Sequence, residues 1–444
     1  MTSLAITPLE AWNSIQMGLG QQGRPTPDKL ARYQLDRLNA TLNHVIHNSP
    51  FYQKLLKNTA VFPLENLQQL QTLPFTNQEA LRKSSLQLLS VSQSRVARVV
   101  TLHTSGTTGT PKRFFFTNKD LERTIDFFHY GLMTMVSPGQ RLLIFLPGDL
   151  PHSAGKLLEK AAERMDVQAI IYGLIQEPDH AIQTIIDNKI NSLVGIPVQI
   201  LSLIRSGSHR SIPTEMIESV LLSTDYVPQA IVKALKETWN CEVFQHYGMT
   251  EMGYGGAMSC DAHFGYHLRE MDLLFEVIDP ITLQPIDDHG LGEVVFTTLN
   301  HQAMPLIRYR TGDLAAWIKT PCPCGSILRR MSWVQGRSKG NIYLDDQLSL
   351  NIHTLDEQLF ALPYIIDFQA TLYGSKNCPH LQVTIFIPPL KQPDPLLFSK
   401  ALKKIPALQI AESKGLLKLD PVLIEQGIGN ASTVVKRKIL DYRI

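Results

Sequence analysis

The sequence predicts an α/β protein: a large N-terminal domain built on a parallel sheet with a β-rich subdomain, followed by a small, mobile α+β C-terminal domain. Three observations predict it. Short apolar runs at 141–146, 167–172, 192–196, 219–223 and 241–245 alternate with helical stretches such as 120–135 and 228–239. That is the pattern of βαβ units whose strands are covered on both faces. From 271 to 318 the pattern turns to strand after strand, over Leu273 to Ile278, Gly292 to Leu299 and Leu314 to Ile318, punctuated by Pro and Gly. Beyond the polar, glycine-flanked Gly336-Arg337-Ser338-Lys339-Gly340, helices near 353–361 and 397–404 mix with strands near 365–372 and 380–387. The boundary is therefore drawn there, giving domains 1–336 and 337–444.

Taken in order, Leu9 to Met17 reads as a first helix. Gly18-Leu19-Gly20-Gln21-Gln22-Gly23 then matches the dinucleotide fingerprint. The fingerprint needs a strand before it and a helix after it, so here it is expected to be a plain loop. Residues 27–47 form an amphipathic helix: Thr26 caps it, Pro27 suits its first turn, and Leu35, Leu38, Leu42 and Val45 make one apolar stripe. Asn48-Ser49-Pro50 ends it.

Composition narrows the class of function. Of 444 residues, 44% are apolar and 18% charged, which suits a large core. The 42 basic and 40 acidic residues leave a formal charge of +2, no footprint for nucleic acid or an acidic membrane. The longest apolar runs, such as Leu142 to Leu146, are too short to span a bilayer. Met1-Thr2-Ser3-Leu4-Ala5 has neither a charged n-region nor an apolar h-region, and the five cysteines are unevenly spread. A cytoplasmic protein is expected.

Chemistry concentrates in Thr104-Ser105-Gly106-Thr107-Thr108-Gly109-Thr110-Pro111-Lys112. Glycines let backbone N–H groups approach an anion, hydroxyls add donors, and Lys112 adds a point charge suited to phosphate. It is not the P-loop pattern, which ends in Gly-Lys-Ser/Thr. Three further clusters follow in order: Tyr247-Gly248-Met249-Thr250-Glu251, Arg308-Tyr309-Arg310-Thr311-Gly312-Asp313 and Gly336-Arg337-Ser338-Lys339.

The four motifs in this order resemble those of the adenylate-forming (AMP-binding) superfamily of acyl-CoA synthetases, peptide-synthetase adenylation domains and luciferases. Phe51-Tyr52 and Leu73-Pro74-Phe75-Thr76-Asn77-Gln78-Glu79-Ala80-Leu81-Arg82 resemble the opening of its phenylacetate-CoA ligase-like subfamily. The resemblance implies ATP-dependent activation of a small carboxylic acid through an acyl-adenylate, transfer to coenzyme A, and release of AMP. It implies that Ser105, Gly106, Thr107, Thr108, Gly109 and Lys112 hold phosphate. Thr250 would contact the α-phosphate, and Glu251 would be a Mg2+ carboxylate. Tyr247 with Gly248 would face adenine, Asp313 and Arg337 the ribose, and Lys339 would be the pivot of the C-terminal domain. Ser223-Thr224-Asp225 would be the adenine loop, although they differ from the subfamily's Gly-x-Glu-Pro. Acyl-pocket candidates are Phe145, His152, His246, Tyr254 and Gly255. An aryl or arylacetic acid is expected, and a homodimer is allowed but not required.

One departure and one further constellation stand out. The family's adenylating lysine falls on Asn430, in Gly427-Ile428-Gly429-Asn430-Ala431-Ser432, which keeps a donor and loses the charge. A weakened first step is expected. Two other readings stand beside the ligase: a degenerate nucleotide- or acyl-CoA-binding protein, and an adenylating enzyme with a non-CoA acceptor. Second, Cys260, Cys322, Cys324 and His267, with His263 as competitor, make a Cys3His set for structural zinc.

Overall fold

The structure is a computed structural model that describes residues 7–20, 23–59, 62–102, 111–389, 391–429 and 436–444. The chain divides into two compact units, each assembled from segments distant in sequence. No described helix is long and apolar enough to cross a membrane.

The first unit draws on Met1–Thr134, Pro151–Met165 and His246–Val334. Its long helix, Pro27–Asn48, is capped by Thr26, whose hydroxyl accepts from the Lys29 N–H, and it buries Leu30, Leu38, Leu42 and Val45. The helix Pro8–Gln16 precedes the Gly18–Gly23 stretch, so the dinucleotide reading lacks its strand here. A hairpin pairs Arg98–Leu102 with Lys112–Phe116. The helix Asn118–Leu132 carries a capping box between Thr117 and Asp120 and buries Phe127 and Phe128. The β-rich region is antiparallel: Leu273–Ile278 pairs with Gly292–Thr298, which pairs with Tyr309–Ala315. Along Tyr309–Ala315 burial alternates, which sets Tyr309, Thr311, Asp313 and Ala315 on one inward face.

The second unit draws on Met135–Leu150, Asp166–Gln245 and Gln335–Ile444. Its parallel strands lie in the spatial order Gln168–Ile171, Arg141–Phe145, Ser192–Gly195, Ser219–Leu222, then the strand starting at Glu242. All five predicted apolar runs are therefore strands, with Leu142, Leu143, Ile144 and Phe145 wholly buried. The C-terminal segment adds the helix Ile352–Phe360 and an antiparallel pair, Asp367–Gly374 with His380–Ile387. One apolar core joins both parts: Leu193, Leu201 and Leu235 belong to the same cluster as Leu355, Leu359, Phe368 and Phe398. Arg437 sits in this unit on the rings of Phe360 and Phe368, bound by the carboxylates of Asp356 and Asp367. Burial, partly offset by Arg437, pushes the Asp356 carboxyl up to about 7.

Candidate functional site

The strand bearing Asp313 is braced from the N-terminal segment. Thr76 brackets Tyr309: its N–H donates to the Arg308 carbonyl at 3.1 Å, and its carbonyl accepts from the Arg310 N–H at 2.9 Å. The Thr76 hydroxyl donates to Ile307 O at 2.8 Å, and the Tyr52 hydroxyl accepts from the Ile307 N–H at 2.9 Å. Arg308, at φ +46°, is clamped by Glu276, by the carbonyls of Gln71 and Leu73, and by the Phe75 ring 4.0 Å below it. The Phe51-Tyr52 and Leu73–Thr76 motifs thus hold in place the edge that carries the inward side chains.

Those side chains meet the second motif. Glu251 is buried in the short turn Thr250–Met252, and its Oε1 accepts from Lys112 Nζ at 3.4 Å and from the Tyr309 hydroxyl at 3.2 Å. The Tyr247 hydroxyl donates to Asp313 Oδ2 at 3.1 Å. Gly248 has no room for a side chain: a Cβ there would fall 2.1 Å from the Tyr254 carbonyl oxygen. A lysine and a carboxylate, both nearly excluded from water and joined at one edge, offer charges of both signs to a phosphate and its counter-ion. Ser105, Gly106, Thr107, Thr108 and Gly109 lie outside the described residues, as does Asn430.

Beside this pair is an aromatic enclosure. The His246 ring lies 6.0 Å from both Phe127 and Phe128, and Phe116 stacks on Tyr254 at 5.6 Å. Burial, then the nearby Arg269 charge, pulls His246 down to about 4, so it is neutral near pH 7. Gly255 lets the Phe127 ring pack directly onto its backbone, since a Cβ would meet that ring at 2.3 Å. Behind it Arg269, fully buried, lies over Phe127 and Trp12, donates to Gly255 O at 3.1 Å and binds Asp272. His152, at φ +58°, is half-buried; burial, then Lys160 and Arg98, hold its pKa below the usual range. Phe145 belongs to the core of the second unit, edge-on to Tyr172.

The remaining candidates lie in the second unit. Ser223 is buried at the end of its strand and donates its N–H to Gly195 O at 3.0 Å. Thr224 follows at φ +82°, and Asp225 accepts from the N–H groups of Tyr226 and Arg437. Arg337 is half-buried, Lys339 is exposed, and Gly340 closes a turn onto Arg337 O.

The four cysteine and histidine residues converge. Their ligand atoms all lie within 4.8 Å of one another, with Cys260 Sγ 3.6 Å from Cys322 Sγ and Cys324 Sγ 3.3 Å from His267 Nε2. A tetrahedral zinc with ordinary bond lengths would set such pairs about 3.8 and about 3.5 Å apart. His267 Nδ1 faces Leu328 O at 3.3 Å, an orientation that presents Nε2 to a metal. His267, not His263, is therefore the fourth member. The hydrogen bond from Cys260 holds Cys324 down to about 3, while Cys260 is pushed up.

Geometry and comparison agree on the class. A mixed α/β chain with a buried Lys–Glu pair, a Tyr–Asp pair and an aromatic enclosure is the frame of a nucleotide-dependent acid-activating enzyme. Residues 37–300 match the AMP-binding enzyme family, and the chain belongs to it. Its relatives include the phenylacetate-coenzyme A ligase of Thermus thermophilus, 30% identical over 380 residues, covering 81% of this chain and 78% of that one. The phenylacetate-coenzyme A ligase of Aromatoleum evansii is 30% identical over 330 residues, 71% of this chain and 72% of that one. A crystal structure of 2-hydroxyisobutyryl-CoA ligase in the postadenylation state has the same fold (TM-score 0.76, 18% identity, 94% of this chain and 90% of that one). The protein is accordingly an AMP-forming carboxylate–CoA ligase of the phenylacetate-CoA ligase-like subfamily. Neither the binder nor the non-CoA-acceptor reading finds support in these relatives.

Sequence reasoning assigned no role to Tyr309, Phe127, Arg269 or Asp272. Tyr309 was within reach, because strand parity puts it on the face of Asp313.

Proposed function

We propose that this ligase activates an aryl or arylacetic acid. The relatives named phenylacetate-CoA ligase support that reading, and so does an enclosure walled by Phe127, Phe128, Phe116, Tyr254 and a neutral His246. A carboxylate oxygen attacks the α-phosphorus of ATP and pyrophosphate leaves. The thiol of coenzyme A then attacks the acyl carbon and AMP leaves. Lys112 and the 105–109 loop take phosphate, with Thr250 on the α-phosphate. Glu251 is the residue that would hold Mg2+, which when bound neutralises phosphate charge. Asp313 and Arg337 take the ribose, and Tyr247 with Ser223, Thr224 and Asp225 the adenine. Lys339 is the pivot between 1–336 and 337–444.

The observation that carries this assignment is the buried Glu251 carboxylate joined to Lys112 and Tyr309. Zn2+ at Cys260, His267, Cys322 and Cys324 is structural, since four protein ligands leave no open position. Asn430, which keeps a donor and loses the charge, slows the first half-reaction by up to about 10²–10³, the worth of one preorganised donor to developing charge. Pyrophosphate release over a panel of aryl, arylacetic and aliphatic acids, on wild type and Asn430→Lys, tests both points. Aryl acids turn over best, and Asn430→Lys is faster. Preference for aliphatic acids would overturn the substrate class, and equal rates the role of Asn430.

A further inference from the structure

The helix Gln229–Trp239 begins without a cap of its own, because the residue at its N-cap is Pro228. A neighbour supplies one. Glu357, on the helix Ile352–Phe360, accepts from the Gln229 N–H at 2.8 Å with one carboxylate oxygen and from the Ala230 N–H at 3.1 Å with the other. The same carboxylate accepts from the Tyr226 hydroxyl at 2.7 Å. One turn earlier on that helix, His353 stacks on the Tyr226 ring at 3.9 Å with 15° between planes. Asp225 is tied in turn to the Arg437 N–H at 3.1 Å, and Arg437 is fastened by Asp356 and Asp367.

Immediately before these fastenings, and after Ser223, whose N–H is held by Gly195 O, lies Thr224, at φ +82°. A β-branched residue in that region is strained, and such a conformation persists where its surroundings over-determine it. The loop's own sequence offers no glycine to relax it. The C-terminal segment therefore holds the loop in shape at two consecutive residues, Asp225 and Tyr226.

We infer that Glu357 is a positioning residue for the nucleotide: it fixes loop 223–226 through Tyr226 and the helix start, so that docking of the Ile352–Phe360 helix sets the affinity for ATP. This rests on the reading of 223–225 as the adenine loop. Glu357 does not touch the reacting atoms. It acts by holding backbone whose alternative, relaxed shape would misplace the base.

The test uses the full-length enzyme. Steady-state kinetics on wild type, Glu357→Gln and Glu357→Ala are read as separate constants for ATP and acid. Glu357→Ala raises the ATP KM about tenfold, the equivalent of one lost charge-assisted hydrogen bond, with the acid KM unchanged. Glu357→Gln, which keeps an acceptor, falls between. In parallel, wild type is photolabelled with an azido-adenine ATP analogue and the labelled peptide is mapped. Labelling within 223–229 together with the ATP-specific rise supports the inference. Labelling there with an unchanged ATP KM, or with ATP KM, acid KM and melting temperature moving together, overturns it and leaves the loop reading standing. Labelling elsewhere overturns the loop reading and the inference with it.

Discussion

Replacing Asp272 by Asn is the sharpest test of how the aromatic enclosure, the proposed seat of the acid, is held. Asp272 is almost fully buried and faces two guanidinium groups. It accepts from Arg269 Nε at 2.8 Å and from Arg123 Nε at 2.6 Å, and Asn300 adds a third donor at 2.9 Å. Burial alone would raise its pKa; Arg269 and Arg123 more than reverse that and hold it at about 2. A carboxyl held at about 2 instead of its ordinary value near 4 is worth about 2 kcal/mol. Its folded pKa is depressed, so this stability is present above about pH 4 and is lost as pH falls towards 2. The Asn variant costs more than that, about 3–5 kcal/mol, because the buried Arg269 and the half-buried Arg123 lose the carboxylate that both hydrogen-bond. Arg269 also grips the Gly255 carbonyl and lies over Phe127, so the damage reaches the enclosure. Urea unfolding at pH 7 followed by near-UV circular dichroism, with Michaelis constants for acid and ATP, reads both effects. The acid KM rises and the ATP KM holds. A loss of stability below about 1 kcal/mol, or an unchanged acid KM, would refute the reasoning.

Three further outcomes follow. Gly255→Ala drives a methyl into the Phe127 ring and shifts preference towards smaller acids; an unchanged ratio of kcat/KM between a small and a large aryl acid would show that Gly255 does not shape the enclosure. Neutral burial of His246 predicts that up to about 3 kcal/mol of stability disappears as pH falls from about 6.5 to about 4, where the unfolded chain binds the proton first. His246→Gln flattens that slope, with buried His301, also held below its usual pKa, keeping a part of it. Metal analysis after mild purification finds about one zinc per chain, and Cys322→Ser abolishes it; wild type with less than ~0.2 zinc per chain would rule the site out.

The elements were legible because their periodicities are local. Buried apolar runs announced the parallel strands, and the Thr26 cap with its stripe announced the long helix. Motif order singled out Lys112, Tyr247, Glu251 and Asp313, and the structure gathers these four side chains. What escaped is what depends on distant partners. Nothing near Glu357 says that it caps a helix more than a hundred residues earlier, and nothing near Asp272 says that it joins Arg123 to Arg269. The choice between His263 and His267 needed the strand Tyr266–Leu268 opposite Arg330–Met331, which brings His267 to the Cys322-Pro323-Cys324 turn. The unit division also differs in kind from a cut at 336: the core of the second unit is shared by residues on both sides of the first unit's last segment.

That shared core bears on how the protein is made. Its last parallel strand ends in the growing chain at Tyr247, yet the residues that finish the core continue to Ile439. At roughly 5–20 residues per second, about 200 residues of synthesis separate the two, some 10–40 s. Through that interval the apolar sides of the helices Pro197–Arg205 and Gln229–Trp239 lack the residues that cover them in the finished fold. A chain ending at residue 336 would lack the apolar side chains from Leu350 to Ile439 that complete this core, and is expected to leave its partners in the second unit uncovered.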